Sequence, residues 1–117
     1  MGYLDGVIAP VPKANKAAYL ALARKSAALF KSHGALRVLE TWGDQIPDGD
    51  VTSFPLAVKL EEDEAVVFSW VLWPSKAVRD EALPKVMEAM GEEFAPDGLP
   101  FDSKRMMFGG FEVMLDA

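Results

Sequence analysis

The stretch that decides the fold is AVVFSWVLWPSKAVRD, Ala65 to Asp80. Between Ala65 and Trp73 the only polar residue is Ser69, and most of the remainder is valine or aromatic, the side chains that suit a pleated strand. Pro74 cannot continue a ladder and Ser75 is a good N-cap, so a helix is expected from Lys76. The strand is apolar on both parities, with Val67, Val71 and Trp73 opposite Val66, Phe68, Trp70 and Leu72. A sheet with one solvated face would alternate instead. Each side of this strand therefore needs a cover.

Working outward, Tyr3 to Val11 reads as a first strand, ended by Pro10 and Pro12. Lys13 to His33 reads as a long helix whose inward stripe is Tyr19, Leu22, Ala23, Ser26, Phe30 and His33, with Leu29 beside it and Gly34 closing it. Ala35 to Gly43 is a second strand, and Pro47 and Gly49 mark a turn. Pro55 argues against a central strand over Val51 to Leu60, which is expected to be a short helix or irregular turn. EEDE at 61 to 64 reads as a solvated acidic loop.

Beyond the organising strand, Lys76 to about Gly91 carries an apolar stripe of Val78, Ala82, Leu83, Val86, Met87 and Met90. Pro84 removes a backbone hydrogen bond there and is expected to kink or split the helix. Gly91 to Pro100 reads as a loop. Met106 to Leu115 is the last strand, in which Gly109 and Gly110 suggest a bulge or a close backbone approach.

This order, β-α-β-(short element)-β-α-β, is the ferredoxin-like α+β pattern: a four-stranded antiparallel sheet with two helices on one face, in a single domain over residues 1–117. Two helices cover one face, and the sequence offers nothing for the other. Met106, Phe108 and Met114 face away from Met107, Phe111, Val113 and Leu115 on the last strand, so both faces are greasy. The bare face would exceed the few hundred Å² of apolar patch usual for a monomer. A homodimer packed sheet against sheet about a two-fold axis is expected.

Composition narrows the function. The formal net charge is −6 and no basic stripe interrupts it, which disfavours phosphate backbones and hence nucleic-acid partners. There is no cysteine, so disulfides, thiolate nucleophiles and Cys-based zinc sites are excluded, and a reducing, cytoplasmic setting fits. MGYLDG lacks the features of a signal peptide, and no apolar run approaches the roughly 20 residues that span a bilayer, so no membrane role is expected.

Stretches such as DGVIAPVP, LFKSHGALRVLETWGDQIPDG, VVFSWVLWPSKAVRD and PFDSKRMMFGGFE resemble the YbaA-like family of uncharacterised small bacterial proteins, over nearly the whole chain. The resemblance implies a ferredoxin-like fold in the dimeric α/β-barrel superfamily and no established activity. The chain departs from the family's pattern at Pro84 and is shorter just before PFDSKR. Within the superfamily, small molecules often sit between sheet and helices, and some members are cofactor-independent monooxygenases.

Candidate chemistry is sparse. His33, the only histidine, could be a base or ligand, but a place at a helix end beside free carbonyls suits it better. Arg79 and Asp80 follow the Ser75 cap. Arg79 could fork onto a substrate carboxylate, although an ion pair with Asp44 or Asp102 is the more ordinary role. Ser75 could also hold an anion at the helix N-terminus. Trp42, Trp70 and Trp73 could line a pocket or simply pack. Asp5, Glu40 and Glu112 are acids inside strands, and any that face inward are candidates for raised pKa values, with Arg37 as the obvious partner. Lys59, Asp102, Lys104 and Arg105 read as loop salt bridges. No metal-binding spacing is present, and no cofactor is implied. Two readings follow: a cytoplasmic homodimer that binds a small organic molecule in a sheet–helix cleft, with or without cofactor-independent chemistry, or a non-catalytic structural or interaction dimer. RNA binding would need phosphate-facing basic residues that the chain does not offer.

Overall fold

The structure is a computed structural model describing residues 2–93 and 98–117. Its elements are β1 (Tyr3–Pro12), a 3-10 turn (Lys13–Asn15), α1 (Lys16–Ser32), β2 (Arg37–Trp42), α2 (Phe54–Ala57), β3 (Glu64–Trp73), α3 (Lys76–Glu93) and β4 (Met107–Glu112). The strands form one antiparallel sheet in the order β2-β3-β1-β4, with β3 and β1 central. This is the expected ferredoxin-like arrangement.

Register assigns the faces. Tyr3, Asp5, Val7, Ala9 and Val11 share one face with Val67, Ser69, Val71 and Trp73, and with Val38, Glu40 and Trp42. Helices α1 and α3 lie on this face. Phe30 meets Trp73 edge to face at 6.0 Å, Val78 and Ala82 join them, and Tyr19 packs with Ala9, Val11, Val67 and Trp42. Trp73, Val67, Val11 and Val86 are fully buried, so the core sits between the sheet and the two long helices.

The opposite face carries Leu4, Ile8, Phe68, Trp70, Leu72, Met107 and Phe111. Phe68, Met107 and Phe111 remain 40%, 46% and 58% exposed. One corner differs from expectation. The chain between β2 and β3 folds over it, Phe54 stacks edge to face on Phe68 at 6.0 Å, and Val66 is buried. The chain thus roofs part of that face and leaves the rest bare.

Several boundaries moved for physical reasons. Pro12 ends β1 as expected, but Pro10 lies inside it, because pairing with β4 stops at Ile8–Met107 and β1 is an edge strand beyond that point, where proline is tolerated. The first helix opens as a 3-10 turn, and His33 is its C-cap. Within 51–60 a short helix forms, with Ser53 accepting from the Leu56 N–H and Pro55 in the first turn. Pro84 does not split α3, which runs on past Gly91 to Glu93. The expected loop over 91–100 is accordingly shorter, and its residues 94–97 lie outside those described. β4 is shorter than expected and its register with β1 is continuous, so the two glycines make a close approach and no bulge. A Cβ on Gly110 would fall 2.8 Å from a Tyr3 ring carbon.

Candidate functional site

A row of side chains crosses the helix-facing side of the sheet from edge to edge: Glu40, Ser69, Val7 and Phe108 stand opposite one another on the four strands. Ser69 is buried and Val7 half-buried, while Glu40 and Phe108 occupy the two edge strands and are exposed. Neighbouring strands are about 4.8 Å apart, so the polar end of this row lies roughly 10–15 Å from the Phe108 end. Tyr19 reaches down from α1 and donates its phenolic O–H to Glu40 Oε1 at 2.6 Å.

The electrostatics of the pair follow from crowding. Burial, reinforced by the Glu40 carboxylate, pushes the Tyr19 phenol well above its ordinary range and keeps it a donor. Burial also raises the Glu40 pKa, opposed by the hydrogen bonds from Tyr19 and Ser69. Glu40 as a residue is open to solvent at the edge of the sheet, so the direction of its shift comes from the packing around the carboxylate itself. A carboxylate whose affinity for a proton is raised can accept one from a ligand, and a phenol and a hydroxyl beside it can donate hydrogen bonds to the anion left behind.

The other candidate residues are tied into the scaffold. Arg79 does not pair with Asp44 or Asp102. Its guanidinium forks onto Asp5 at 2.8–3.1 Å and reaches Asp80 at 3.0 Å. The Trp73 indole N–H donates to the same Asp5 carboxylate at 2.9 Å, and the guanidinium lies 5.3 Å from the Tyr3 ring. The inward acid at position 5 thus takes Arg79 as its partner and Glu40 takes Tyr19. Arg37 serves neither, because its parity puts it on the far face, over Trp70 at 5.6 Å. Ser75 caps α3 by accepting from the Val78 N–H, which uses its oxygen locally. His33 places Nδ1 2.9 Å from the Leu29 carbonyl and 3.1 Å from Ser32 Oγ, a helix-end role.

Arg105 is the most heavily engaged cation. It binds both Glu64 oxygens at 2.7 and 2.8 Å, Asp102 at 2.9 Å, and the carbonyls of Lys59 and Val58. Glu64, expected in a solvated loop, is buried at the start of β3, and the Arg105 hydrogen bonds hold its pKa below the usual carboxylate range. Lys59 has a left-handed backbone, φ 50°, which turns its carbonyl toward Arg105.

Two hollows lie away from the polar row. One of about 150 Å³ lies beside the β2 edge and is lined by Trp42, Ile46, Phe54, Val66 and Phe68 among others. The second, about 410 Å³, opens among Lys13, Asp48, Glu61, Glu62 and Glu64 and has no tryptophan. Of the tryptophans, Trp42 lines a hollow, Trp70 lies on the outer face, and Trp73 is core. Among the described residues no group of three or more His, Asp or Glu could hold a metal. No helix there is long and apolar enough to cross a membrane.

Residues 2–103 match a family of unknown function, DUF1428. The chain belongs to that family. It is 50% identical over 116 residues to the uncharacterised protein YbaA of Escherichia coli K12 and to that of Shigella flexneri, covering 99% of each chain. Among solved structures it resembles a dimeric ferredoxin-like protein from an uncultured marine organism, with TM-score 0.69, 10% identity, and 99% and 98% of the two chains covered. A variant of SnoaB, a cofactor-independent oxygenase from Streptomyces nogalater, matches with TM-score 0.56, 13% identity, and 98% and 95% covered. At such identities the likeness establishes the fold.

The WPSKAVRD and PFDSKRM stretches hold structural ties: a cap, the Asp5 clamp and the Glu64 clamp. The Tyr19–Glu40 pair was only half visible in the sequence. Glu40 stood out as an acid inside a strand, whereas Tyr19 read as an ordinary member of a helical stripe.

Proposed function

We propose that this chain is a cytoplasmic homodimer, paired through the bare part of its sheet, that holds a small, partly apolar organic molecule along the Glu40–Ser69–Val7–Phe108 row. The observation that carries the reading is the Tyr19–Glu40 hydrogen bond at 2.6 Å, next to buried Ser69 on the helix side of the sheet. Among the described residues, the half-buried or buried charges Asp5, Glu64, Arg79, Asp102 and Arg105 are paired with one another. Ionised Glu40 would accept a proton from an acidic O–H or C–H of the ligand, and the Tyr19 and Ser69 hydroxyls would hold the anion left behind. No cofactor is needed for that step. The cofactor-independent oxygenase that shares the fold supports such a site by analogy. Oxygen transfer would require dioxygen as co-reactant, and the proposal ends at the proton.

A non-catalytic dimer is the second reading. It is favoured by the consumption of Arg79, Arg105, Ser75 and His33 in internal contacts. A thermal-shift panel of small phenols, enols and aromatic acids separates the two. A true ligand at about 100 times its Kd stabilises by about 2.7 kcal/mol, a rise of several degrees in a chain of this size. Glu40→Gln and Tyr19→Phe should abolish the rise. If no compound stabilises the wild type, or both variants respond as it does, the ligand reading fails and the second stands.

A further inference from the structure

Two features on the bare side of the sheet remain unexplained. The first is the apolar hollow of about 150 Å³ between β2 and α2, walled by Trp42, Ile46, Phe54 and Phe68. A dry apolar space of that order accepts a ring or a branched aliphatic side chain. The second is the segment after β4. Val113 still pairs with the Gly2 carbonyl, but Met114 and Leu115 are 92% and 78% exposed. Alternation from Phe111 and Val113 places Leu115 on the bare side.

We infer that, in the homodimer proposed above, Leu115 of each copy seats in the hollow between β2 and α2 of the other. The inference rests on that dimer reading. Its geometry comes from the register. β4 ends with Glu112 beside Tyr3, so the tail leaves at the Tyr3–Trp73 end of the sheet, on the β4 edge. The hollow lies at the Trp42–Val67 end, on the β2 edge. Knob and hole thus occupy diagonally opposite corners of one face. A two-fold axis in the interface plane, running along the other diagonal, exchanges those corners. It also crosses the two sheets near a right angle, one of the two ways in which sheets pack. Both hollows are then filled at once.

The chain cannot fill its own hollow. The corners are roughly 23 Å apart on a four-stranded sheet with six-residue edge strands, whereas three residues beyond Glu112 reach roughly 11 Å. Area also requires more than the flat face. That face measures about 19 by 20 Å, or about 400 Å², over the shared register. A standard interface needs roughly 800 Å² per partner. Tail and hollow together supply contact that the sheet lacks. The hollow's rim carries Asp44, so the seating rests on the apolar walls and not on charge.

The absence of cysteine makes the test direct. Leu115→Cys and Phe54→Cys, both at exposed positions, are refolded together and oxidised. The expected product is a disulfide-linked pair containing one of each variant, with neither variant cross-linking to itself. Light scattering on the wild type runs alongside. A dimer without the mixed cross-link overturns the seating of Leu115 and leaves the dimer intact. A monomer overturns both. Deleting 114–117 provides the second measurement: the dimer Kd should rise at least tenfold, and an unchanged Kd overturns the inference.

Discussion

At the scale of single residues, two carboxylates in this sheet respond to pH in opposite senses. Glu64 is held low by Arg105, so its contribution to stability is complete above the ordinary carboxylate pKa and is lost as pH falls through the lower folded value. Glu40 is raised by burial, so the folded chain favours its protonated form, and that contribution fades as pH rises through the folded value. Calorimetric Tm against pH should therefore show a shallower acid decline in Glu64→Gln than in wild type. Glu40→Gln should remove the small loss on the rising side. Arg105→Met is the severe change, since it removes the cation that binds both oxygens of a carboxylate only 4% exposed, and should lower stability the more of the two arginine variants. Arg79→Met should cost less, because the Trp73 indole still donates to Asp5 and that carboxylate keeps more contact with water. Chemical denaturation of the two variants side by side would check the ranking.

At the scale of elements, the local signals were legible and the long-range ones were not. The doubly apolar run at 65–73, the Ser75 cap and the α1 stripe depend on neighbours a few residues apart, so they could be read from the sequence and recur in the structure. The partner of Arg79 lies 74 residues upstream, and choosing Asp5 over Asp44 or Asp102 requires the β1–β3 register. Arg37 is a different case: it stands three residues before Glu40 on the same strand, and alternation alone puts the two on opposite faces. The glycine pair in β4 joins the two cases. The sequence indicated a close approach or a bulge, and only the ladder reveals that Gly110 lies under Tyr3 while Gly6 and Gly109 lie under Phe111. Gly110→Ala should then destabilise by about 1–3 kcal/mol, since Tyr3 is packed against the core cluster that contains Trp73 and must move. Gly109→Ala, whose Cβ would meet Phe111 at an ordinary 3.6 Å, should be close to neutral. Equal effects in urea titrations would show that the two faces are not distinguished as described.

At the scale of the whole molecule, the central question is what shields the bare face. Phe68, Met107 and Phe111 form a greasy strip that α2 covers only at one end. Phe111 lies flat across Gly6 and Gly109, two positions without side chains, so the sheet there presents a smooth surface to which another can come close. A four-stranded sheet buried on one side only leaves its two-faced central strand in a setting for which its sequence is unsuited. In the proposed dimer a second copy would supply the missing layer with the same chemistry, and a closed two-fold pair would leave no greasy strip for further growth. Light scattering at micromolar concentration should give twice the 12.8 kDa chain mass. Phe111→Asp places a charge at the middle of that contact, where it would be desolvated without a partner, and should raise the dimer Kd by a factor of 100 or more. Because Phe111 is more than half exposed within one chain, the same variant should keep its far-ultraviolet circular dichroism and most of its stability. Loss of the dimer with an intact fold places the contact on this face. A variant that remains a dimer would move the contact elsewhere and leave the strip without a cover.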